Sequence, residues 1–244
     1  RRLCRSRWRW LFGAACLAAL AAALVLCKAV RPNLLFARQW PVKGVDVSEY
    51  QGRIDWPVLA RQSVRFAFIK ATEGSSSADP AFAHNRRGAA EAGIAVGAYH
   101  FFSFDSPGAA QAENFLAALG GQADALPPVV DVELYGSYVF SPKPAGEVRR
   151  ELRALLAALE GATGRKPILY ATGRARRLYL AQGFGQYPLW LRSVYLPPAG
   201  EWLFWQYTDR GRLPGYSGPE RFIDLNAFCG SEQAWAQFLA AGAA

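Results

Sequence analysis

The chain divides into an apolar amino-terminal run and a longer region in which short apolar stretches alternate with amphipathic ones. Residues 11–27 are an unbroken apolar run rich in Ala and Leu. From residue 44 onward, alternating or β-branched stretches predict strands. Eight strands are predicted: the alternation that opens at 44–48, then 64–71, 94–102, 129–133, 168–171, 188–191, 202–207 and 221–225.

Helices are predicted between the early strands. Residues 79–92 carry Asp79 as a cap with Pro80 in the first turn, 107–119 and 145–160 show helical periodicity, with the latter ended by Gly161, and Ser231 caps a last helix to Ala240. Strands that alternate with helices favour a parallel α/β sheet, and eight strands favour its closure into a single irregular TIM-like barrel.

Two carboxyl groups close the strand predicted over 129–133. Asp131 and Glu133 project to one side of that strand because side chains alternate, with Cα atoms roughly 6.5–7 Å apart. Ionising one carboxyl disfavours ionising the other, which is one way to keep a protonated acid near neutral pH. A strand that simply runs into a solvated acidic turn has the same short pattern, so the pair alone does not decide between these interpretations.

Other polar and aromatic side chains also fall at or near the carboxyl ends of predicted strands, where the reactive groups of such barrels lie. These are Asp46, Lys70, Tyr99, Tyr170, Trp190, Gln206 and Asp224, with Tyr50 and Tyr207 close by. Four carboxyls at one barrel mouth could supply an acid for a leaving oxygen and stabilise an oxocarbenium-like transition state, while aromatic faces bind sugar rings. The combination predicts a glycosidase, although aromatic residues at such positions can equally be core.

The amino-terminal segment predicts export. Residues 1–10 are interpreted as a basic cytoplasmic tail, 11–30 as a transmembrane signal anchor, 31–43 as a linker and 44–244 as the catalytic barrel. A cleaved signal peptide is the alternative, with small residues at 21–23. The barrel is thus expected outside the cytoplasm, in the periplasm or at the cell exterior, either anchored or secreted.

Charge and cysteine content limit the alternatives. The net charge of +9 arises mainly from residues 1–40, which hold eight Arg or Lys and no acid, while the remainder has 20 basic and 19 acidic residues. The predicted domain is nearly neutral, which argues against nucleic-acid binding. Only Cys229 of the four cysteines lies in the domain, so no internal disulfide is expected.

Other chemistries have less support. Only His84 and His100 exist, and no pair of residues has transition-metal spacing, although oxygen-only ligation by the four acids stays open. His84 is expected on a helix surface and His100 behind the site. No nucleophile elbow or nucleotide-binding glycine motif is present. We therefore expect neither a cofactor nor a metal.

Seven ordered stretches carry a resemblance. They are GVDVS at 44–48 with YQG at 50–52, FIKATEG at 68–74, GAYHF at 97–101, DVE at 131–133, PLW at 188–190, WQY at 205–207 and DLN at 224–226. On these residues the chain from Gly44 to about Leu239 resembles glycoside hydrolase family 25, the lysozymes that cut bacterial peptidoglycan. The resemblance implies a (β/α)5(β)3 barrel and cleavage of the β-1,4 bond between N-acetylmuramic acid and N-acetylglucosamine. It departs after Trp190, where the family usually has a small residue with a tyrosine close by and this chain has Leu191-Arg192-Ser193-Val194-Tyr195, so the rim on that side is expected to be altered.

The resemblance also implies residue roles. Glu133 would protonate the leaving oxygen and later activate water, and Asp131 would orient the substrate's own acetamido group as the nucleophile, giving retention. Asp46 and Asp224 would tune charge and hold hydroxyls. The implied substrate-binding residues are Tyr50, Lys70, Tyr99, Tyr170, Trp190, Gln206 and Tyr207.

Two functional hypotheses follow. One is a membrane-anchored, exported muramidase, a monomer whose partners are peptidoglycan glycan strands and the membrane. The other is a non-catalytic peptidoglycan-binding scaffold on the same barrel. Because all four acids are present, we favour the enzyme.

Overall fold

A computed structural model describes residues 2–27 and 29–242, with side chains from residue 11 onward. The side chains of the predicted basic tail, residue 28 and the last two residues therefore lie outside the description. The strands are β1 (Lys43–Val47), β2 (Val64–Glu73), β3 (Ser77–Ala78), β4 (Ala95–Phe101), β5 (Val129–Val132), β6 (Ile168–Thr172), β7 (Leu189–Arg192), β8 (Phe204–Gly211) and β9 (Ile223–Phe228). The α-helices are α1 (Arg2–Leu26), α2 (Asn33–Phe36), α3 (Trp56–Arg61), α4 (Phe82–Glu91), α5 (Gly108–Leu119), α6 (Ala145–Thr163), α7 (Gly173–Ala175), which continues as a π-helix over Arg176–Leu180, and α8 (Glu232–Gly242). Single 3-10 turns lie at Ala37–Gln39, Glu49–Gln51 and Gly136–Val139.

Eight strands close into a barrel. The order around it is β1-β2-β4-β5-β6-β7-β8-β9, and pairing of β1 with both β2 and β9 closes the ring. The short strand β3 only adds a hairpin to the end of β2. Helices follow each of the first five barrel strands, and the last three are joined by loops. The predicted α/β barrel is confirmed.

The last strand runs against the prediction of a parallel sheet. β9 is antiparallel to both β8 and β1, whereas the other neighbours pair in parallel. The link from β8 to β9 contains no crossover helix, and a parallel return needs such a crossover. Asp224 therefore stands at the amino end of its strand, not the carboxyl end that the sequence predicted. Because the strand is reversed, that end still faces the same mouth.

Helix α6 shows how the outer layer forms. Its buried residues Val148, Leu152, Leu155, Leu156 and Leu159 recur at helical spacing and pack on the barrel wall. The helix does not end at Gly161, as predicted, but runs to Thr163. It ends at Gly164, which adopts φ 67° and caps the chain in the left-handed region.

The barrel has one core inside and one outside. Outward side chains such as Val45, Val47 and Val130 pack beneath the helices. Inward side chains of the lower barrel form a second cluster that includes Phe66, Phe68, Trp190 and Phe204, and Trp235 of α8 packs against it.

The amino-terminal helix α1 covers most of the predicted anchor at 11–30. Across the residues that the structure describes, no helix has both the length and the apolar character that crossing a membrane demands. The predicted transmembrane helix therefore gains no support.

Candidate active site

Strand alternation aims the predicted acids into the barrel. On β1, Val45 and Val47 pack in the outer core, so Asp46 between them points inward. On β5, Val130 and Val132 do the same, which directs Asp131 inward with Glu133 following on the same side. Asp224 of β9 lies directly opposite Asp46 in the pairing of β1 with β9. The four carboxyls thus share one barrel mouth.

An aromatic layer forms the floor of this mouth. The rings of Phe68 and Trp190 stack with centroids 4.5 Å apart, and Tyr170 meets Trp190 edge-on at 4.6 Å. All three side chains are buried. Such a floor excludes water and lowers the local dielectric, which strengthens every charge interaction above it.

Asp46 is held by a network of amide groups. Asn226 Nδ2 donates to Asp46 Oδ2 at 2.7 Å and Gln206 Nε2 donates to the same oxygen at 2.9 Å. Trp190 Nε1 in turn donates to Asn226 Oδ1 at 2.8 Å, and the Tyr170 hydroxyl donates to Gln206 Oε1 at 3.0 Å. Each amide is fixed by a second partner, so the orientation of the Asp46 carboxyl is defined.

Burial favours protonation of the carboxyls. It is the main cause that raises the pKa of Asp46, while hydrogen bonds from Asn226 and Gln206 work in the opposite direction. The pKa of Asp224 lies well above its usual range because of burial and the neighbouring charge of Asp46, to which it is also hydrogen-bonded. Two facing acids that are partly withdrawn from solvent hold one proton more readily than they carry two charges.

Asp131 and Glu133 also have raised pKa values. Burial raises the pKa of Asp131 well above its usual range, and the charges of Glu133 and Asp46 add to this shift. Burial likewise raises the pKa of Glu133, but the positive charges of Arg192 and Lys70 oppose the rise. The pair therefore retains a proton to a higher pH than isolated carboxyls do.

The two acids differ in their contacts. Asp131 Oδ1 is buried and accepts no hydrogen bond from any residue that the structure describes. An unpaired buried acceptor is costly, and such groups in native proteins often serve function. Glu133 is half-buried at the mouth. Asp131 is thus available to a donor from a ligand, and Glu133 is reachable from solvent.

Several predicted substrate-binding residues also lie at the mouth. A cleft of about 290 Å³ is lined by Asp46, Asp224, Tyr99 and Tyr50, whose side chain is 58% exposed. Lys70 Nζ forms an ion pair with Glu73 Oε2 at 2.6 Å.

Three of the predicted substrate-binding residues lie below the cleft and do not line it. Tyr170, Trp190 and Gln206 are buried beneath the acids and support them.

Tyr207 requires a correction. It points out of the barrel and packs in an outer cluster with Ala37 and Trp205, with Trp40 of the linker alongside. Burial there raises its pKa to about 12. Gln206 points inward, so its neighbour on the strand must point outward. Alternation alone could have excluded Tyr207 from the mouth.

Two residues of the site were not among the predicted ones. Asn226 orients Asp46, and its position two residues after Asp224 on the same strand is the signal that could have found it. Arg192 lies at the end of β7, and its Nη2 pairs with Asp209 Oδ2 at 2.6 Å. It belongs to the stretch 191–195 that departs from the family pattern, and its positive charge lowers the pKa of Glu133.

The two histidines do not take part. His100 is fully buried, with Nδ1 2.7 Å from Thr72 Oγ1 and Nε2 3.0 Å from Gln111 Oε1. Its pKa is lowered to about 4, chiefly by burial. His84 lies exposed on α4. Within residues 2–27 and 29–242, no group of three His, Cys, Asp or Glu side chains is arranged to hold a metal ion.

A closed α/β barrel with clustered carboxyls at its mouth defines a class of enzymes that act on glycans. A family model described as glycosyl hydrolases family 25 matches residues 45–216. A structure described as a family 25 glycosyl hydrolase from Bacillus anthracis has a TM-score of 0.77 and 46% identity, covering 82% of this chain and 94% of that one.

Two relatives with similar sequences are consistent with the same family. The protein YegX of Escherichia coli (strain K12) is 37% identical over 214 residues, which are 82% of this chain and 76% of YegX. Lysozyme M1 of Streptomyces globisporus is 34% identical over 205 residues, 78% of this chain and 68% of that protein. The chain belongs to glycoside hydrolase family 25, and the predictions of this family and of a glycoside hydrolase are confirmed.

Proposed function

We propose that the protein is an N-acetylmuramidase that hydrolyses the β-1,4 bond between N-acetylmuramic acid and N-acetylglucosamine in peptidoglycan. Family membership supports this, as do relatives that are named lysozyme or N,O-diacetylmuramidase. The observation that carries the proposal is the gathering of four carboxyls at one mouth, with one buried carboxylate oxygen left unpaired among the described residues.

Glu133 is the general acid and base of this proposal. It is half-buried at the mouth, and its raised pKa lets it hold a proton at a pH where an ordinary carboxyl has lost it. It gives this proton to the glycosidic oxygen as the bond to the anomeric carbon breaks. It later removes a proton from the water that attacks the same carbon.

Asp131 orients the substrate's acetamido group. Its unpaired Oδ1 accepts a hydrogen bond from the acetamido N–H, which directs the acetamido oxygen to the anomeric carbon. That oxygen forms the new bond while the leaving oxygen takes the proton of Glu133. In the active form of this proposal the proton of the pair lies on Glu133 and Asp131 is ionised, and the Asp131 carboxylate then balances the positive charge of the cyclic intermediate. Water then opens the ring, and two inversions give net retention.

The remaining groups bind the substrate and adjust the electrostatic field around it. Asp46 and Asp224 bind sugar hydroxyls and set the negative field around the forming positive charge. Tyr99 and Tyr50 offer ring faces at the cleft that these acids line. All of these residues come from one chain, so a monomer suffices, and that state stays a prediction.

Reducing-end release from purified peptidoglycan tests the activity. Glu133→Gln and Asp131→Asn should each lose about 10²-fold or more in kcat, since each removes a group used in the transition state. Glu113→Gln, which changes an exposed carboxyl on α5, is the matched control and should act as wild type. Full activity of Glu133→Gln would refute the assignment, and a wild-type protein that binds peptidoglycan without shortening it would indicate the scaffold instead.

The substrate supplies a second test of the same mechanism. Glycans that lack the N-acetyl group on muramic acid should resist cleavage, because they lack the nucleophile. Rapid hydrolysis of such strands would contradict the role given to Asp131.

We also propose that the barrel works outside the cytoplasm, where peptidoglycan lies. The apolar run at residues 11–27 supports export. Protease added to spheroplasts should degrade the barrel if the proposal holds and spare it if the barrel is cytoplasmic. Recovery of the intact chain with membranes, or of a shortened chain in the medium, decides between a retained anchor and a cleaved signal.

A further inference from the structure

A cavity rich in arginine lies beside the catalytic mouth. It has a volume of about 470 Å³ and sits between the segment that follows β6 and the end of β7. Its lining includes Arg176, Arg177, Arg192, Gly173, Ser193 and Ala199, and none of its lining residues is an Asp or Glu. The cavity is thus lined by three cationic residues and no anionic one.

The charges of this cavity are poorly compensated within the protein. Arg192 pairs with Asp209, but no ion pair joins Arg176 or Arg177 to a carboxylate among the residues that the structure describes. Arg176 Nη1 donates a hydrogen bond to the carbonyl oxygen of Ala199 at 3.0 Å. This bond fixes the Arg176 side chain but does not neutralise its charge. Like charges held together cost free energy unless an anion joins them.

The position of the cavity connects it to the reaction. Arg192 lines it and also lowers the pKa of Glu133 by its charge. Away from the mouth, a second cavity of about 640 Å³ shares Arg176 and Ala181 and is lined by Tyr187 and Trp202. Because Arg176 and Ala181 line both cavities, the two lie next to each other, and the second also contains one acid, Glu201.

We infer that the arginine-lined cavity binds carboxylate groups of the peptide stem that is attached to N-acetylmuramic acid. This inference rests on the proposed muramidase function and names the part of the substrate that the cavity would recognise. Stem peptides carry free carboxylates close to the sugar, and a guanidinium matches a carboxylate in a two-pronged hydrogen bond. The neighbouring cavity, which is lined by Tyr187 and Trp202, would receive the rest of the stem.

Three substrates test this inference on the full chain. They are glycan strands whose stems contain D-glutamate, the same strands with the neutral D-isoglutamine, and strands stripped of peptide by an amidase. Arg177→Ala and the double variant Arg176→Ala with Arg177→Ala should raise KM for the acidic strands roughly three- to tenfold with kcat unchanged. KM for the amidated strands should respond less than KM for the acidic ones. The stripped strands keep only the lactyl carboxylate on the sugar itself, which lies nearer the mouth than the stem carboxylates, so their KM should move least.

Two further variants sharpen the comparison. Arg177→Lys keeps the charge but loses the two-pronged hydrogen bond, so its KM for acidic strands should lie between the values of the wild type and Arg177→Ala. Arg87→Ala removes an exposed cation on α4, away from the mouth, and should change nothing. An unchanged KM of Arg177→Ala on acidic strands, or an equal rise on stripped strands, would overturn the inference.

Failure of the proposed function gives a different result. If the wild type releases no reducing ends from any of the three substrates, the muramidase assignment fails. Calorimetry with N-acetylmuramyl-L-alanyl-D-glutamate and its amidated form then tests the cavity alone. Tighter binding of the acidic form that Arg177→Ala abolishes would support the cavity, and equal binding of both forms would refute it.

Discussion

The pairing of Asp46 with Asp224 predicts that this part of the site lowers the free energy of unfolding. The two acids face each other across β1 and β9, both are half-buried, and both have raised pKa values. A raised pKa means that the folded protein holds a proton that the unfolded chain has released. Stability is therefore lost as the pH rises from the ordinary value of about 3.9 through the folded value.

Asp224→Asn should recover this loss. The amide has the shape of the protonated acid and can donate to Asp46 in the same way, but it does not ionise. Each unit by which the folded pKa is raised corresponds to about 1.4 kcal/mol. Relief of one half-buried, poorly compensated acid should raise the free energy of unfolding at pH 7 by about 1–3 kcal/mol, and Tm by roughly 2–4 °C for each kcal/mol in a domain of this size.

The assay is urea or thermal unfolding at pH 7 and near pH 4. The gain of Asp224→Asn should be largest at pH 7 and should disappear toward pH 4, where the acid is protonated in both states. Activity should fall, since the acid serves the substrate at the expense of the fold. Glu91→Gln, an exposed carboxyl on α4, is the control. An Asn variant that is no more stable at pH 7, or equally more stable at both values, would refute the reasoning.

Three other perturbations have definite outcomes. Arg192→Ala removes a charge that lowers the pKa of Glu133, so the basic limb of the kcat/KM profile should move to higher pH, and less so for Arg192→Lys. The pKa of His100 falls from 6.5 to about 4 on folding, so the stability advantage of wild type over His100→Gln should shrink by about 3 kcal/mol between pH 7 and pH 4. At Gly108 a Cβ would lie 1.8 Å from a backbone oxygen of α6, so Gly108→Ala should lower the free energy of unfolding by about 1–3 kcal/mol in urea.

For each of these three predictions a definite result would contradict it. A basic limb that stays in place or moves down would exclude the electrostatic role of Arg192. A difference between wild type and His100→Gln that is the same at both pH values would mean that the imidazole does not change its protonation on folding. Gly146→Ala, on α6 with nothing within 4 Å of the added Cβ, is the counterpart of Gly108→Ala and should be neutral or slightly stabilising. Equal effects of the two alanines would contradict the close packing of α5 on α6.

Much of the barrel could be predicted from local patterns in the sequence. Buried strands next to prolines and helices with one apolar face have short-range causes, so the strand count and the closed α/β barrel were predictable. The inward direction of Asp131 and Glu133 also followed from the two-residue period. These features depend on neighbours along the chain.

The errors have non-local causes. The reversal of β9 depends on how the chain returns after β8, which no pattern within residues 221–225 reveals. Trp190 was expected near a strand end, but it lies within β7 and supports Asn226 from below, because depth in the barrel depends on the register with both neighbouring strands. Tyr207 was the exception, since alternation from Gln206 already excluded it. The raised pKa values of Asp46 and Asp224 depend on the pairing of β1 with β9, which no local pattern reveals.

The central claim is that carboxyls at this mouth cleave after N-acetylmuramic acid, with Glu133 as acid and base. Mass spectrometry of borohydride-reduced digests of purified peptidoglycan tests it most directly. The account predicts that the reduced sugar is muramic acid in every new fragment from the wild type and that Glu133→Gln yields no fragments. Reduced glucosamine in those fragments, or an unchanged fragment pattern from Glu133→Gln, would contradict it.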